Sequence, residues 1–167
     1  MKKILNRKNL TILFGIYILG LVYVLFLHNS YRLGLKTFGM TMFSAEHLSL
    51  CNFIPFYTIG TYINRLIEHT INTDIVIINL SVNLILFAPM GVFLPILFRD
   101  KINRFWKFLF SILIMTILVE VIQLLTMMGT TDIDDVILNT LGACIVYWIM
   151  QIRLIKNFIH NVFKEEL

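Results

Sequence analysis

Four stretches of this chain are apolar for the length of a bilayer crossing, and the polar residues between and within them are few and regularly placed. A helical crossing needs about 20 mostly apolar residues. Residues 10–27 contain no charge, and residues 75–98 are also uncharged, with Asn79, Asn83, Pro89, Gly91 and Pro95 inside them. Residues 108–128 contain one acid, Glu120, and residues 136–152 carry Asn139 and Gly142 near their start. The spans of a transmembrane barrel are about half as long and alternate in polarity; none of these segments does. The pattern predicts an all-α polytopic membrane bundle of four transmembrane helices, organised as a single integral membrane domain over residues 1–167.

The segment between the first two spans, residues 28–74, is long and not uniformly polar. Residues 48–57 (Leu-Ser-Leu-Cys-Asn-Phe-Ile-Pro-Phe-Tyr) are apolar and aromatic, too short to span and broken by Pro55. Such a stretch either lies in the membrane interface or folds back against the bundle, where its backbone groups can find partners. Residues 58–70 then read as a short amphipathic helix with Ile59, Tyr62, Ile63, Leu66 and Ile67 on one side.

Composition agrees with the pattern. Hydrophobic residues make up 58% of the 167, charged residues 14%, against about 45–50% and about 25% in soluble domains. That leaves too little polar surface for a soluble globule, and far too much apolar material for a disordered chain. Two cysteines, Cys51 and Cys144, make no disulfide framework; Cys144 reads as a small packing residue.

Charge sets the expected sidedness. Lys2, Lys3, Arg7 and Lys8 precede the first span; Arg99, Lys101, Arg104 and Lys107 separate the second and third; Arg153, Lys156 and Lys164 follow the fourth. Eleven of the 14 basic residues thus fall on one side, which the positive-inside rule places in the cytoplasm with both termini. Arg32, Lys36 and Arg65 remain outside, and residues 129–135 have three acids and no base. The net charge of +4 is therefore a topology signal and gives no reason to expect nucleic-acid binding. The basic start followed by an apolar run resembles a signal peptide, but an 18-residue apolar core exceeds the usual 7–15 and no small-residue cleavage pattern follows. An uncleaved anchor is expected.

In this topology the polar residues of three spans share one depth. Asn79 and Asn83 lie at i and i+4 in the outer half of the second span, Glu120 and Gln123 at i and i+3 in the outer half of the third. Asp132, Asp135, Asn139 and Gly142 follow one another along the start of the fourth. These stripes predict a polar pocket opening outward, built from Asn83, Glu120, Gln123, Asp132, Asp134, Asp135 and Asn139. Other roles stand beside that one. Thr131 or Asp132 can cap the fourth helix, and acids in its first turn complement the helix dipole. Asn83 and Asn139 can hydrogen-bond between helices, and Gly142-Ala143 gives a small surface for close packing. Pro89 and Pro95 should each free a carbonyl, near Ile85 and Gly91. The carboxylates Asp132, Asp134 and Asp135 with nearby amide oxygens also suit a hard cation, Mg²⁺ or Ca²⁺. The run is no EF-hand, His28, His47, His69 and His160 are scattered, and neither a phosphate loop nor a serine nucleophile elbow is present.

Four blocks carry a family resemblance. They are Asn52-Phe53-Ile54-Pro55-Phe56, then Asn83-Leu84-Ile85-Leu86-Phe87-Ala88-Pro89-Met90-Gly91 with Leu94-Pro95, then Glu120-Val121-Ile122-Gln123, and Asp132 through Gly142 (Asp-Ile-Asp-Asp-Val-Ile-Leu-Asn-Thr-Leu-Gly). In that order the chain resembles the VanZ-like family of small bacterial membrane proteins. Asn52, Pro55, Phe56, Pro89, Gly91, Pro95 and Gly142 are the motif positions expected to be structural. The chain departs from the family at Gly129, where many relatives carry arginine, and at Val146, where many carry glycine. The resemblance implies a bacterial cell membrane and a role at the envelope, the name-giving member being associated with low-level resistance to the glycopeptide teicoplanin. It implies no particular reaction.

The reading that follows is an outward polar pocket engaging an envelope lipid or glycolipid. A metal-assisted enzyme acting on lipid-linked phosphate is the alternative, without an evident base or nucleophile. An accessory subunit or small transporter is the third, which with four spans requires a homo-oligomer.

Overall fold

The computed structural model describes residues 7–28 and 48–152. Within them the chain is all-helical. Helix α1 (Arg7–Val22) runs on into a π-helical turn (Tyr23–His28). After the loop come α2 (Tyr57–Ile67), α3 (Thr73–Leu86), α4 (Met90–Leu97), α5 (Phe105–Thr126) and α6 (Ile133–Gln151). Four helical stretches are long and apolar enough to cross a membrane: Arg7–Leu27, Thr73–Leu97, Phe105–Thr126 and Ile133–Gln151. The bases Lys2, Lys3, Arg32, Lys36, Arg153, Lys156 and Lys164 lie outside the described residues.

The outer surface of the bundle is what bilayer solvent demands. Leu19 is 72% exposed, and Ile16, Ile85, Phe110 and Ile114 also face outward. In water such a surface would drive aggregation; in hydrocarbon it costs nothing. Trp106, at the start of α5, and Trp148, near the end of α6, sit at one end of the bundle, each ringed with Phe105. Indoles favour the interfacial level.

Helix α6 is the hub, packing against α3, α4 and α5. Two glycines permit this. A Cβ on Gly142 would lie 1.7 Å from the Leu84 carbonyl oxygen of α3, and a Cβ on Gly91 would lie 2.5 Å from the Ala143 carbonyl oxygen of α6. Both obstacles are backbone, so no side-chain movement can relieve them. Small residues at these crossings let the backbones touch, which is the main source of helix association in lipid. Below the crossings Phe87, Met90, Phe108, Ile112 and Ala143 are fully buried, and Phe108 stacks on Tyr147 at 4.5 Å.

The second span, expected as one crossing with Pro89 and Pro95 each removing a helix hydrogen bond, is broken at Pro89. Pro89 lacks an N–H, so the ladder stops at Leu86 and resumes at Met90. The carbonyl expected to be freed at Ile85 is taken instead by the Ala88 N–H at 3.1 Å, and Met90 N–H turns to Phe87 O at 3.0 Å. Leu86 O is satisfied from another helix: the Tyr17 hydroxyl donates to it at 2.7 Å. Tyr17 also stacks on Phe93, and Phe14 packs against the same ring. One break thus fixes how α1 lies against α4. Pro95 lies inside α4, whose C-terminal Leu97 carbonyl accepts from the Arg7 guanidinium at 3.3 Å.

Helix α2 has the amphipathic form expected of it and buries none of its residues. Ile67 is 71% exposed, with Tyr57 and Ile63 also outward. A free apolar face on a short helix beside four spans is the form of an interfacial helix.

Candidate functional site

The stretch before α2 folds back onto the bundle and docks on the start of α6, which decides between the two positions the sequence left open. Asn52 N–H donates to Thr131 O at 2.8 Å and Ile133 N–H to Asn52 O at 2.9 Å, a two-bond bridge between the first and last sequence blocks. The Asn52 side chain completes it: its amide donates to Asp132 Oδ1 at 2.8 Å, and its Oδ1 accepts from Ile54 N–H, folding the turn that carries Pro55.

The three acids of α6 take three different partners. Asp132 is the N-cap, its Oδ1 accepting from Asp134 N–H at 2.9 Å, while its Oδ2 accepts from the Thr58 hydroxyl at 2.6 Å. Asp134 is 0% exposed and caps a different helix: one oxygen accepts from Phe56 N–H, the other from Ile59 N–H at 3.0 Å. These N–H groups belong to the N-terminus of α2, where donors are unpaired and negative charge is favoured. Phe56 holds φ at 65°, a left-handed conformation that costs a non-glycine residue about 1–3 kcal/mol, and the carboxylate aimed at its N–H offsets that cost. Asp135 accepts from the Asn83 side chain of α3.

Asp132 and Asp134 do not line the larger chamber, although Asp134 lines the smaller cavity beside it, and the hydrogen bonds of the three carboxylates run to separate partners. Among the described residues no group of three or more His, Cys, Asp or Glu side chains is arranged to hold a metal ion. The oxygens that would bind Mg²⁺ or Ca²⁺ are turned to backbone N–H groups and to Asn52, Thr58 and Asn83.

Five of the seven pocket residues do come together. Asn83, Glu120, Gln123, Asp135 and Asn139 line a chamber of about 550 Å³ between α3, α5, α6 and the π-helical turn after α1. Glu120, buried in α5, reaches the fourth block: its Oε2 accepts from Asp132 N–H at 2.9 Å and its carbonyl from the Thr131 hydroxyl at 3.2 Å. Gln123 donates to Leu25 O in the π-helical turn at 3.2 Å and holds that wall in place. Asn139 is 3% exposed and its Oδ1 has no hydrogen-bond partner. Such an atom costs about 1–3 kcal/mol, and among buried side-chain atoms of the described residues it is the one left over. Asn79, expected on the same face as Asn83, lines the chamber but donates back to Ile75 O of its own helix at 2.7 Å.

A smaller cavity of about 150 Å³ lies toward α2, lined by Thr58, Tyr62 and the predicted Asp134 and sharing Asn79, Asn83 and Asp135 with the chamber. The Tyr62 phenol is held above its ordinary value of 10.0, first by burial and then by the charges of Asp135 and Asp132, with Arg65 opposing. Sequence reasoning missed Thr58, Tyr62 and the wall at Tyr23, Val24 and Leu25. Only the place of Tyr62 on the amphipathic face was legible; a threonine at the start of a helix and a valine in an apolar run carry no signal of their own.

Gly129, where the family resemblance leads one to expect arginine, is buried against Gln123: a Cβ there would lie 2.7 Å from Gln123 Nε2. Cys51 and Cys144 form no disulfide with each other.

Comparison with known proteins joins these elements to a family. The model of the family described as VanZ/LLP1 matches residues 14–155. Protein VanZ of Enterococcus faecium is 30% identical over 143 residues, covering 86% of this chain and 71% of that protein. No solved structure matches.

Proposed function

The chain belongs to the VanZ/LLP1 family, and from that premise we propose that it acts at the cell envelope by presenting its polar chamber on the outer side of the membrane to an envelope lipid or glycolipid. It is a multi-pass membrane protein, and the distribution of basic residues supports cytoplasmic termini, with the chamber and α2 at the opposite, external end. The family's association with teicoplanin resistance supports an effect on how glycopeptides meet the cell surface.

The observation that carries this reading is the chamber itself. Placing five polar side chains of three helices within an apolar bundle, with Glu120, Gln123 and Asn139 buried and Asn83 and Asp135 half-buried, costs free energy at each. Packing alone would be served by apolar residues. The Asn139 carbonyl, unpaired at its wall, supports binding rather than scaffolding.

The test is expression of the full chain in a teicoplanin-susceptible host lacking relatives of this family. Wild-type protein lowers teicoplanin susceptibility and the binding of fluorescent teicoplanin to the cell surface. Asn139→Leu, at equal membrane level, loses both effects. No change in either measurement on expression of the wild-type chain would remove the envelope role.

A further inference from the structure

Resting on the chamber reading, we infer that the ligand is a lipid whose head donates hydrogen bonds and carries no net negative charge, and that it enters from within the bilayer between the first and second spans with an acyl chain laid along α3. The chamber sets the chemistry of the head. Its described lining contains two carboxyl groups, Glu120 and Asp135, the unpartnered Asn139 Oδ1, and no Lys, Arg or His. Asn83 spends one amide N–H on Asp135 and Gln123 one on Leu25 O. The two carboxyls and the Asn139 Oδ1 leave acceptors facing a ligand, beside the hydroxyls of Tyr23 and Thr130. A phosphate monoester would bring negative charge against two carboxyls with no cation among the described lining residues to compensate it, in a medium of low dielectric. Hydroxyl or ammonium N–H and O–H groups match the acceptors on offer.

The walls set the route. An apolar groove of about 340 Å³ runs along the outer face of α3 past Ile77 and Ile85, and it shares Ile78, Val82 and Leu86 with the chamber. Across the chamber the opposing wall is Tyr23 and Val24 of the π-helical turn. Ile78, Val82, Tyr23 and Val24 are all exposed on the membrane-facing surface. A polar chamber that meets an apolar groove on a lipid-facing helix has the two halves of an amphiphile's shape, head inward and chain outward. The smaller cavity beneath α2, lined by polar Thr58 and Asn79, suits water or the distal part of a head and offers no place for a chain.

The experiment uses the purified full chain in a polyoxyethylene detergent, with retained lipid read by native mass spectrometry. Three dioleoyl probes are offered in turn: a diglucosyl diacylglycerol, phosphatidylethanolamine and phosphatidic acid. The expected result is retention of the glycolipid, the aminolipid or both, which separates hydroxyl from ammonium donors, with phosphatidic acid retained about tenfold less. Asn139→Leu removes an unpaired acceptor, so thermal stability holds or rises while retention falls about tenfold, the effect of one hydrogen bond. Val82→Trp enlarges an exposed side chain at the junction of groove and chamber and blocks the passage between them, so it abolishes retention even if Asn139→Leu accumulates poorly. Equal retention of all three probes overturns the inferred head chemistry and leaves the lipid reading standing. Unaltered retention in Val82→Trp overturns the lateral route, and unaltered retention in a folded Asn139→Leu overturns the placement of the head. Retention of none of the probes by wild-type protein sinks the lipid reading itself.

Discussion

Replacing Asp134 by Asn should release α2 from the bundle while leaving α6 folded. Asp134 is fully buried, yet it does not cap its own helix; Asp132 does that. Both Asp134 oxygens accept backbone N–H groups at the start of α2, from Phe56 and Ile59. Hydrogen bonds to a charged group are worth about 1.5–3 kcal/mol each. An Asn side chain keeps one acceptor and turns an NH₂ toward the second donor, so one bond is lost and the charge at the helix N-terminus goes with it. A loss of about 1.5–3 kcal/mol corresponds to roughly 10- to 100-fold more frequent opening. Because Phe56 sits at positive φ and no residue of α2 is fully buried, what remains to oppose that opening is the Thr58–Asp132 hydrogen bond and the half-buried Ile59, Tyr62 and Leu66. Hydrogen exchange on detergent-solubilised protein reads it directly, since local opening sets the exchange of each amide. The amides of Gly60 to Leu66 should exchange faster by that factor, and those of Leu138 to Tyr147 should not change. Equal protection of α2 in wild-type and Asp134→Asn would show that the carboxylate does not hold the helix, and the proposed purpose of its burial would be wrong.

Other consequences follow from the same geometry. Gly142→Ala should strongly reduce protein accumulation in the membrane, since its Cβ would meet the Leu84 carbonyl at 1.7 Å and α3 and α6 must separate; normal accumulation would mean the crossing is looser than described. Glu120→Gln should fold as well as wild type, because an amide oxygen can still accept from Asp132 N–H, whereas Glu120→Leu should lose about 1–3 kcal/mol through the orphaned donor; equal thermal stability of the two variants would refute this. The raised Tyr62 phenol favours the neutral form in the folded protein, so its contribution to stability is complete below the ordinary value of 10.0 and is lost as pH rises through the folded value. Wild type minus Tyr62→Phe in a phenolate absorbance titration should therefore show a midpoint above 10.0, and a midpoint at or below it would contradict the burial described. Reporter fusions after Gly129 should read external and after Lys101 cytoplasmic; the reverse would place the chamber on the inner side.

The chain alone determined its class and its crossings, because an apolar run of bilayer length has no other stable use and its signal is local. The four spans, the amphipathic α2, a cap on α6 at Thr131 or Asp132 and the gathering of Asn83, Glu120, Gln123, Asp135 and Asn139 at one depth all rest on period and spacing within single helices. What a side chain faces across the bundle is a different kind of fact. Asp134 stands beside Asp132 and Asp135 in sequence, and nothing in that run tells a metal ligand or a pocket rim from a cap on a helix almost 80 positions earlier. The break at Pro89 was visible as a proline, but that Ala88 would take the Ile85 carbonyl and Tyr17 that of Leu86 depended on α1 arriving alongside. The wall of Tyr23, Val24 and Leu25 came from the first span, whose uniform apolarity hides which face turns inward. In a bilayer every face of a helix is apolar, so the hydrophobic pattern that tells inside from outside in water is silent, and only contacts between helices decide it.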